Sequence, residues 1–130
     1  MSNWATPASR ALVLDDEPDV AELVVEILNT MGFVCDMAAS GRDGQDLIDA
    51  SEGGYHVIMC DVRMPDIDGP EMFEWLEQKH PNLVERTLFF TGDSLGQNAA
   101  RFIANCGRPV VEKPFTAADV IREVNALPAP

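Results

Sequence analysis

Five polar residues stand at the ends of short apolar runs in this chain of 130 residues: Asp15, Asp16, Asp61, Thr91 and Lys113. Three carboxylates that meet within a few ångströms repel one another by about 1 to 4 kcal/mol per pair, depending on the effective dielectric. Mg²⁺ relieves such repulsion, since it takes oxygen ligands and is usually held by one or two carboxylates together with water and phosphate. A carboxylate can also attack phosphorus, while an ammonium and a hydroxyl neutralise phosphoryl oxygens. These residue types predict magnesium-assisted phosphoryl transfer, provided that the fold brings them together.

The apolar runs alternate with stretches of helical period, which is typical of a parallel sheet flanked by helices. The predicted strands cover residues 11–14, 33–38, 57–60, 87–90 and 110–111. The helical stripes that follow them span residues 20–31, 41–50, 72–76, 95–106 and 120–127. Two glycines make the second stripe the weakest of these. The order is (βα)5, so we predict one α/β domain.

The predicted sheet places the five polar residues at one edge. In an open parallel sheet, ligands bind outside the carboxyl ends of the strands, at the point where the strand order reverses. Asp15 and Asp16 follow the first strand and Asp61 follows the third. Thr91 ends the fourth strand and Lys113 ends the fifth. We therefore expect these side chains to line a common site.

Four segments at these strand ends resemble the motifs of receiver domains from two-component response regulators. They are residues 13–18 (VLDDEP), 60–69 (CDVRMPDIDG), 90–92 (FTG) and 112–115 (EKPF). The resemblance extends over residues 10–127, with 1–9 as an N-terminal tail or linker remnant and 128–130 as a C-terminal tail. It implies a single doubly wound, flavodoxin-like α/β domain, whose five-stranded parallel sheet has the order 2-1-3-4-5.

The resemblance also implies a phosphoacceptor and a metal site. Asp61 is then the residue that receives the phosphoryl group. Asp16 binds Mg²⁺ directly, with Mn²⁺ as a substitute, and Asp15 binds it directly or through water. Asp61 itself and the main-chain carbonyl of Arg63 complete the protein ligands.

Three further expectations follow from the same resemblance. Thr91 binds a phosphoryl oxygen. Lys113 pairs with the phosphorylated carboxylate. The Lys113-Pro114 peptide bond is expected to be cis, a rare geometry that would aim the lysine into the pocket.

Residues beside the site are expected to control the response to phosphorylation and the lifetime of the phosphoryl group. Many family members carry an aromatic residue three positions before the lysine, where this chain has Val110, so the usual aromatic movement is not expected. Inward movement of Thr91 and of the loop at Gly92 would instead remodel the surface of the fourth and fifth helices. Arg63 and Asp93 carry opposite charges, and we expect them to pair across the pocket mouth and slow an attacking water. Such an exposed pair contributes only ~0 to 1 kcal/mol.

The net charge and the cysteines narrow the class of protein. With 9 basic and 22 acidic residues, the formal charge of −13 repels nucleic acid and anionic membrane surfaces. No apolar run approaches the roughly 18 residues of a membrane helix, and residues 1–10 lack the core of a secretory signal. The three separated cysteines suit small buried apolar residues in a reducing compartment, with neither a disulfide nor a zinc site expected. We therefore expect a cytoplasmic protein.

The implied partner is a histidine kinase or a histidine phosphotransfer protein. Neither His56 nor His80 lies in the dimerising helical segment that a phosphodonor needs, so the chain is interpreted as the acceptor. It is not expected to be an enzyme, apart from its own autodephosphorylation. Residues 107–115 (GRPVVEKPF) resemble receivers attached to hybrid sensor kinases. A free single-domain regulator and a receiver unit of a hybrid kinase both stay open, as does homodimerisation on phosphorylation.

Two other function classes share parts of this pattern. A phosphohydrolase of the haloacid dehalogenase type also uses Asp, Thr or Ser, Lys and Mg²⁺. Its nucleophile lies on the first strand in an Asp-x-Asp motif and it usually has a cap domain, whereas this chain has the adjacent pair Asp15 and Asp16. A receiver-like scaffold that binds a partner without phosphorylation would not need the complete acidic set.

Overall fold

Strands and helices alternate along the residues that the computed structural model describes, which are 9–92 and 97–129. The strands are β1 (Arg10–Leu14), β2 (Val34–Ala38), β3 (Val57–Asp61), β4 (Thr87–Thr91) and β5 (Val110–Glu112). The helices are α1 (Pro18–Thr30), α2 (Gly41–Ala50), α3 (Gly69–Lys79), α4 (Gln97–Asn105) and α5 (Ala117–Asn125), with a 3₁₀ helix over Pro81–Arg86. The strands are parallel in the order β2-β1-β3-β4-β5, which confirms the predicted fold class. None of the helices in these ranges is long and apolar enough to cross a membrane.

The third, fourth and fifth strands each end one residue later in the structure than predicted. Asp61 is the last residue of β3 and not the first residue after it. Its Cα is in register with that of Phe90 in β4, and the amide of the next residue, Val62, donates to the Phe90 carbonyl at 2.9 Å. A polar side chain after an apolar run looks like the start of a loop, but the pairing of the neighbouring strand decides where the strand ends.

The two faces of the sheet carry separate cores, because successive side chains of a strand point to opposite faces. In β1, Ala11 and Val13 pack in the core that α1 and α5 cover, and Leu12 and Leu14 pack in the core that α2 and α3 cover. The central strands β1, β3 and β4 are thus buried on both sides, which explains their continuous apolar runs, whereas Val34 and Met37 of the edge strand β2 are exposed. The polar side chains of the site therefore lie at the ends of the strands, where the two cores end.

Side-chain caps fix the start of α3 and α5, two of the helices that leave the site edge. At the start of α3, the Asp68 carboxylate accepts from the amide of Glu71 at 2.9 Å, and the Glu71 carboxylate accepts from the amide of Asp68 at 3.3 Å. Thr116 and Asp119 form the same capping box at the start of α5. Caps of this kind typically contribute about 1 kcal/mol each. They set the length of the loops that surround the site.

The cysteines are less uniformly buried than the sequence suggested. Cys60 in β3 is fully buried, as expected, whereas Cys35 and Cys106 are half-buried. Cys35 lies on β2, an edge strand, and Cys106 directly follows α4. All three are free thiols, in agreement with the prediction that they form no disulfide.

Gly44 allows α2 to pack directly on β1. A Cβ atom at this position would lie 2.1 Å from Cδ2 and 3.0 Å from Cγ of Leu14, which is itself fully buried. A Cβ atom on the other glycine of the helix, Gly41, would lie 2.6 Å from the Cβ and 2.7 Å from the carbonyl oxygen of Ile67. The glycines that weaken the helix prediction are therefore required by packing.

We expect Gly44→Ala to destabilise the protein by about 1 to 3 kcal/mol, the usual cost of overpacking a core. In an exposed helix interior the same substitution stabilises by about 0.5 to 1 kcal/mol, so the sign of the change tests the contact with Leu14. Urea denaturation followed by circular dichroism measures it. Asp46→Ala, at an exposed position of the same helix, is the control and should stay within about 0.5 kcal/mol of the wild type. A gain in stability for Gly44→Ala would contradict the close packing.

Candidate phosphoacceptor and metal site

Three carboxylates meet at the carboxyl edge of the sheet. Asp15 and Asp16 directly follow β1, and Asp61 ends the neighbouring strand β3. One carboxylate oxygen from each residue lies within 4.8 Å of the other two. Asp15 and Asp61 are only 1% and 5% exposed, whereas Asp16 is open to solvent. The parallel sheet thus brings together the acidic residues that the sequence analysis grouped.

The ammonium of Lys113 lies among these acids. Its Nζ is 2.9 Å from Asp61 Oδ2, 3.0 Å from Asp15 Oδ2 and 3.5 Å from Glu17 Oε1. Burial alone would lower the pKa of Lys113, but the hydrogen bonds to Asp61 and Asp15, together with their charges, raise the pKa above its ordinary value. The lysine is therefore held protonated as the counter-charge of the acidic site.

Asp15 is the acid whose ionisation burial opposes. Desolvation raises the pKa of Asp15 above its ordinary value, because the ionised carboxylate loses contact with water. The backbone amide of Glu17, 2.9 Å from Asp15 Oδ1, and the ammonium of Lys113 oppose this shift, whereas the charge of Asp61 adds to it. An ionised Asp15 thus costs stability until a further cation compensates it.

The carboxylate of Asp61 is fixed in orientation by a partner on each oxygen. Oδ1 accepts a hydrogen bond from the backbone amide of Arg63 at 3.0 Å, and Oδ2 accepts one from Lys113. Because the first partner belongs to the backbone just after β3, the course of this loop sets the direction in which Asp61 faces. The side chain is accordingly presented in one orientation to an incoming electrophile.

Thr91 and Lys113 are joined through their backbones. The carbonyl of Thr91 accepts from the amide of Lys113 at 2.7 Å, where β4 and β5 end side by side. The Thr91 side chain is only 4% exposed, and its hydroxyl lies 3.5 Å from the carbonyl oxygen of Gly92. The Lys113-Pro114 peptide bond is cis. The backbone of Thr91 is therefore fixed beside that of Lys113, whose ammonium reaches the acids.

An open cleft of about 270 Å³ covers these groups. Its lining residues are Asp16, Glu17, Asp61, Arg63, Gly92 and Lys113. Three carboxylates from Asp15, Asp16 and Asp61 form a hard oxygen donor set, which suits Mg²⁺ or Mn²⁺ and not a metal that prefers sulfur or imidazole. The residues present therefore fit a divalent cation beside a carboxylate that can act as a nucleophile.

The predicted switch residues lie partly outside this cleft. Arg63 and Gly92 line it. Val110 instead lies in β5, half-buried against the core that α2 and α3 cover. Asp93 falls outside the described residues, so its pairing with Arg63 stays a prediction.

Aromatic side chains pack in the core that Val110 borders, although Val110 is not aromatic itself. Phe89 of β4 is its partner in the strand register, and the ring of Phe102 from α4 meets the Phe89 ring edge-on at 5.1 Å. Phe73 of α3 contacts both rings, at 6.1 and 5.7 Å. The aromatic packing at this face therefore comes from β4, α3 and α4, whereas β5 contributes the valine.

Glu17 is a site residue that the sequence analysis quoted in a motif without giving it a role. Its carboxylate lies 3.5 Å from Lys113 Nζ and its side chain is 65% exposed, at the rim of the cleft. The adjacency of Glu17 to Asp16 could have signalled this, because both residues leave β1 at the same edge. Its contact with a lysine from β5 depends on the completed sheet.

The chain matches the family model of the response regulator receiver domain over residues 11–125. The chain is a response regulator receiver domain. This receiver domain therefore belongs to two-component signalling, and the haloacid dehalogenase alternative is wrong. The matched range contains all the residues of the acidic site.

Relatives of this receiver domain include sensor kinases as well as transcriptional regulators. It is 25% identical over 120 residues to the sensor kinase CckA of Brucella abortus, covering 92% of this chain and 12% of CckA. It is 30% identical over 127 residues to the transcriptional regulatory protein SpaR of Bacillus subtilis, covering 91% of this chain and 51% of SpaR. The chain thus spans about half or less of these relatives.

Solved structures show the same fold. The receiver domain superposes on a response regulator receiver domain protein from Clostridium thermocellum with a TM-score of 0.78 at 22% identity, covering 90% of this chain and 91% of the other. It superposes on the receiver domain of a signal transduction histidine kinase from Syntrophus aciditrophicus with a TM-score of 0.75 at 23% identity, covering 92% and 91%. At these identities the likeness shows the fold alone.

We expect Asp15→Asn to raise the melting temperature of the receiver domain at neutral pH in a metal-free buffer. Because the pKa of Asp15 is raised by folding, folding favours its protonated form. The contribution of this residue to stability is present below its unfolded pKa near 3.8 and is lost as the pH rises through the folded pKa. Asparagine removes that loss, so the gain of a few degrees should grow as the pH rises above about 4 in scanning calorimetry.

Glu22→Gln is the matched control, since it removes an exposed acid from α1 and leaves the site intact. It should change the free energy of unfolding by less than about 0.5 kcal/mol. An equal gain for both variants would mean that net charge and not burial is responsible. A lower melting temperature for Asp15→Asn would show that the ion pair with Lys113 outweighs desolvation.

Proposed function

We propose that this receiver domain accepts a phosphoryl group on Asp61 from the phosphohistidine of a partner protein, with Mg²⁺ as the cofactor. The position of Asp61 is the main support. Its carboxylate shares a site with Asp15 and Asp16, and its Oδ2 lies 2.9 Å from Lys113 Nζ. Nucleophile, metal donors and counter-charge are therefore within reach of one phosphoryl group.

Each group in the site has a role in this transfer. An oxygen of Asp61 attacks phosphorus while the bond from phosphorus to the donor imidazole breaks, which leaves an acyl phosphate on the receiver and the electron pair on the imidazole. Lys113 pairs with one transferred oxygen, and the hydroxyl of Thr91 donates to another. Asp15, Asp16 and Asp61 would hold Mg²⁺, which supplies positive charge to the phosphoryl oxygens when it is bound.

The backbone after β3 and the loop after β4 complete the proposed site. The main-chain carbonyl of Arg63 is the proposed fourth protein ligand of Mg²⁺. Recruitment of Lys113 and Thr91 by the phosphoryl group changes the positions of Thr91 and Gly92, and this change is the proposed signal to the surface of α4 and α5. The side chain of Arg63, with Asp93, is proposed to limit the access of water and hence the rate of autodephosphorylation.

Incubation with Mg²⁺ and acetyl phosphate, followed by intact mass spectrometry, tests the acceptor role. We expect the wild type to gain one phosphoryl group and Asp61→Asn to gain none. Asp16→Asn should react more slowly and show a smaller rise of melting temperature with added Mg²⁺, because one carboxylate donor is lost. A wild type that stays unmodified, both here and with a phosphorylated histidine protein, would favour the scaffold alternative.

The partner is proposed to dock on an apolar groove beside Lys113. The groove has a volume of about 350 Å³ and is lined by Val20, Leu23, Pro114 and Phe115 together with Lys113. Leu23 is 48% exposed. Lys113 lines both the groove and the phosphoryl site. When the phosphohistidine of a partner reaches Asp61, the partner helix that carries this histidine would therefore lie over the groove.

The charges on α1 define the chemistry of that partner. Asp19, Glu22 and Glu26 are exposed on the same helix as Leu23. A partner surface with an apolar centre and basic residues at its rim would complement both the groove and these acids. A histidine kinase and a histidine phosphotransfer protein are the two classes that carry the required phosphohistidine.

We expect Leu23→Ala to slow phosphoryl transfer from a phosphohistidine protein by about tenfold, which is the size of effect of a moderate interface anchor. The rate with acetyl phosphate should stay unchanged, because the small donor does not touch the groove. Val34→Ala is the matched control, since Val34 is 57% exposed on β2. Equal slowing with both donors would place the defect in the site and contradict the docking proposal.

A further inference from the structure

The loop between β3 and α3, residues 62–68, forms one wall of the site and is held at both ends. At its start, the amide of Arg63 donates to Asp61 Oδ1 at 3.0 Å. At its end, the amide of Gly69 donates to the carbonyl of Val62 at 2.8 Å, which closes the loop on itself. This β3–α3 loop therefore controls the orientation of the acceptor carboxylate.

Asp66 attaches the middle of the β3–α3 loop to helix α2. Its Oδ1 accepts from the backbone amide of Gly41 and its Oδ2 from that of Arg42, both at 2.9 Å. These amides belong to the first turn of α2, where backbone donors lack partners within the helix and the helix dipole favours a negative charge. The two backbone bonds, from Arg42 and then from Gly41, hold the pKa of Asp66 below its ordinary value.

Steric contact reinforces this attachment. A Cβ atom on Gly41 would lie 2.6 Å from the Cβ and 2.7 Å from the carbonyl oxygen of Ile67. The backbones of loop and helix are thus too close for any residue but glycine at position 41. Ile67 also packs, half-buried, against the core that α2 and α3 cover.

The normal N-cap of α2 is provided by a different residue. Ser40 Oγ accepts from the amide of Asp43 at 3.1 Å, as expected for a capping serine. Asp66 is therefore an additional acceptor for the helix start, supplied from a loop 24 and 25 residues away in sequence. The cap of α2 is already formed by Ser40 and does not require Asp66. The contact of Asp66 with α2 instead holds the β3–α3 loop in place.

We infer that Asp66 is a positioning residue for the phosphoacceptor site. By holding the β3–α3 loop against α2, it keeps the backbone of Arg63 where its amide orients Asp61 and where its carbonyl can serve Mg²⁺. The role toward Mg²⁺ rests on the proposed function of the site. The role in orienting Asp61 rests only on the hydrogen bond between Arg63 and Asp61.

The test compares Asp66→Ala with Ser40→Ala, because both variants remove an acceptor from the start of α2 and only the first releases the loop. Isothermal titration with Mg²⁺ should show about tenfold weaker binding for Asp66→Ala, the lower end of the effect of removing an outer-shell partner of a metal site. Ser40→Ala should bind Mg²⁺ within about twofold of the wild type despite a lower melting temperature. The Mg²⁺ affinity of Asp66→Asn, which keeps one acceptor oxygen, should lie between those of Asp66→Ala and Ser40→Ala.

Amide exchange followed by NMR provides a readout that needs no metal. The Arg63 amide should exchange faster in Asp66→Ala than in Ser40→Ala. Gly41→Ala, which pushes the loop away from the helix, should reproduce the faster exchange and the weaker binding of Mg²⁺. Equal exchange and equal affinity in Asp66→Ala and Ser40→Ala would overturn the positioning role. A wild type that binds no Mg²⁺ would overturn only the metal role proposed for the site, and the amide exchange of Arg63 would then decide whether Asp66 positions Asp61.

Discussion

The balance between three mutually repelling carboxylates and one ammonium is the interaction on which the rest of the site depends. Asp15 and Asp61 are almost fully buried at the ends of neighbouring central strands, where unscreened repulsion is most costly. Lys113 reaches both from the end of the edge strand β5, over sequence separations of 98 and 52 residues. No local segment can form this cluster, so the acidic site exists only when β1, β3 and β5 have all joined the sheet.

Backbone hydrogen bonds fix the orientation of the side chains that take part in this charge balance. The amides of Glu17 and Arg63 each fix one oxygen of an acid, and the Thr91 carbonyl fixes the backbone of Lys113. Donors supplied by the backbone near strand ends are held by the sheet, so the proposed phosphoryl transfer would need little reorganisation of the site. The contact between Asp66 and the start of α2 extends this support to the β3–α3 loop.

The fold was predictable because burial on both faces of the sheet leaves continuous apolar runs at the central strands, and the helices carry amphipathic stripes. The weakest prediction, α2, failed to stand out because Gly41 and Gly44 have low helix propensity. Their presence is explained by contacts with Ile67 and Leu14, which are distant in sequence. The roles of Glu17 and Asp66 were hidden for the same reason, since each depends on a partner from another element.

The sequence by itself determined the (βα)5 order, the placement of Asp15, Asp16, Asp61, Thr91 and Lys113 at strand ends, and the receiver motifs around them. These properties are local, because they follow from the period of apolar residues and from which side chains interrupt it. Tertiary structure alone decided that Asp61 belongs to β3, that Lys113 contacts Asp15, Asp61 and Glu17 together, and that Asp66 faces α2. Distances of this kind depend on how far neighbouring strands extend and on where each loop is anchored, and both are set by contacts between segments that are far apart in the chain.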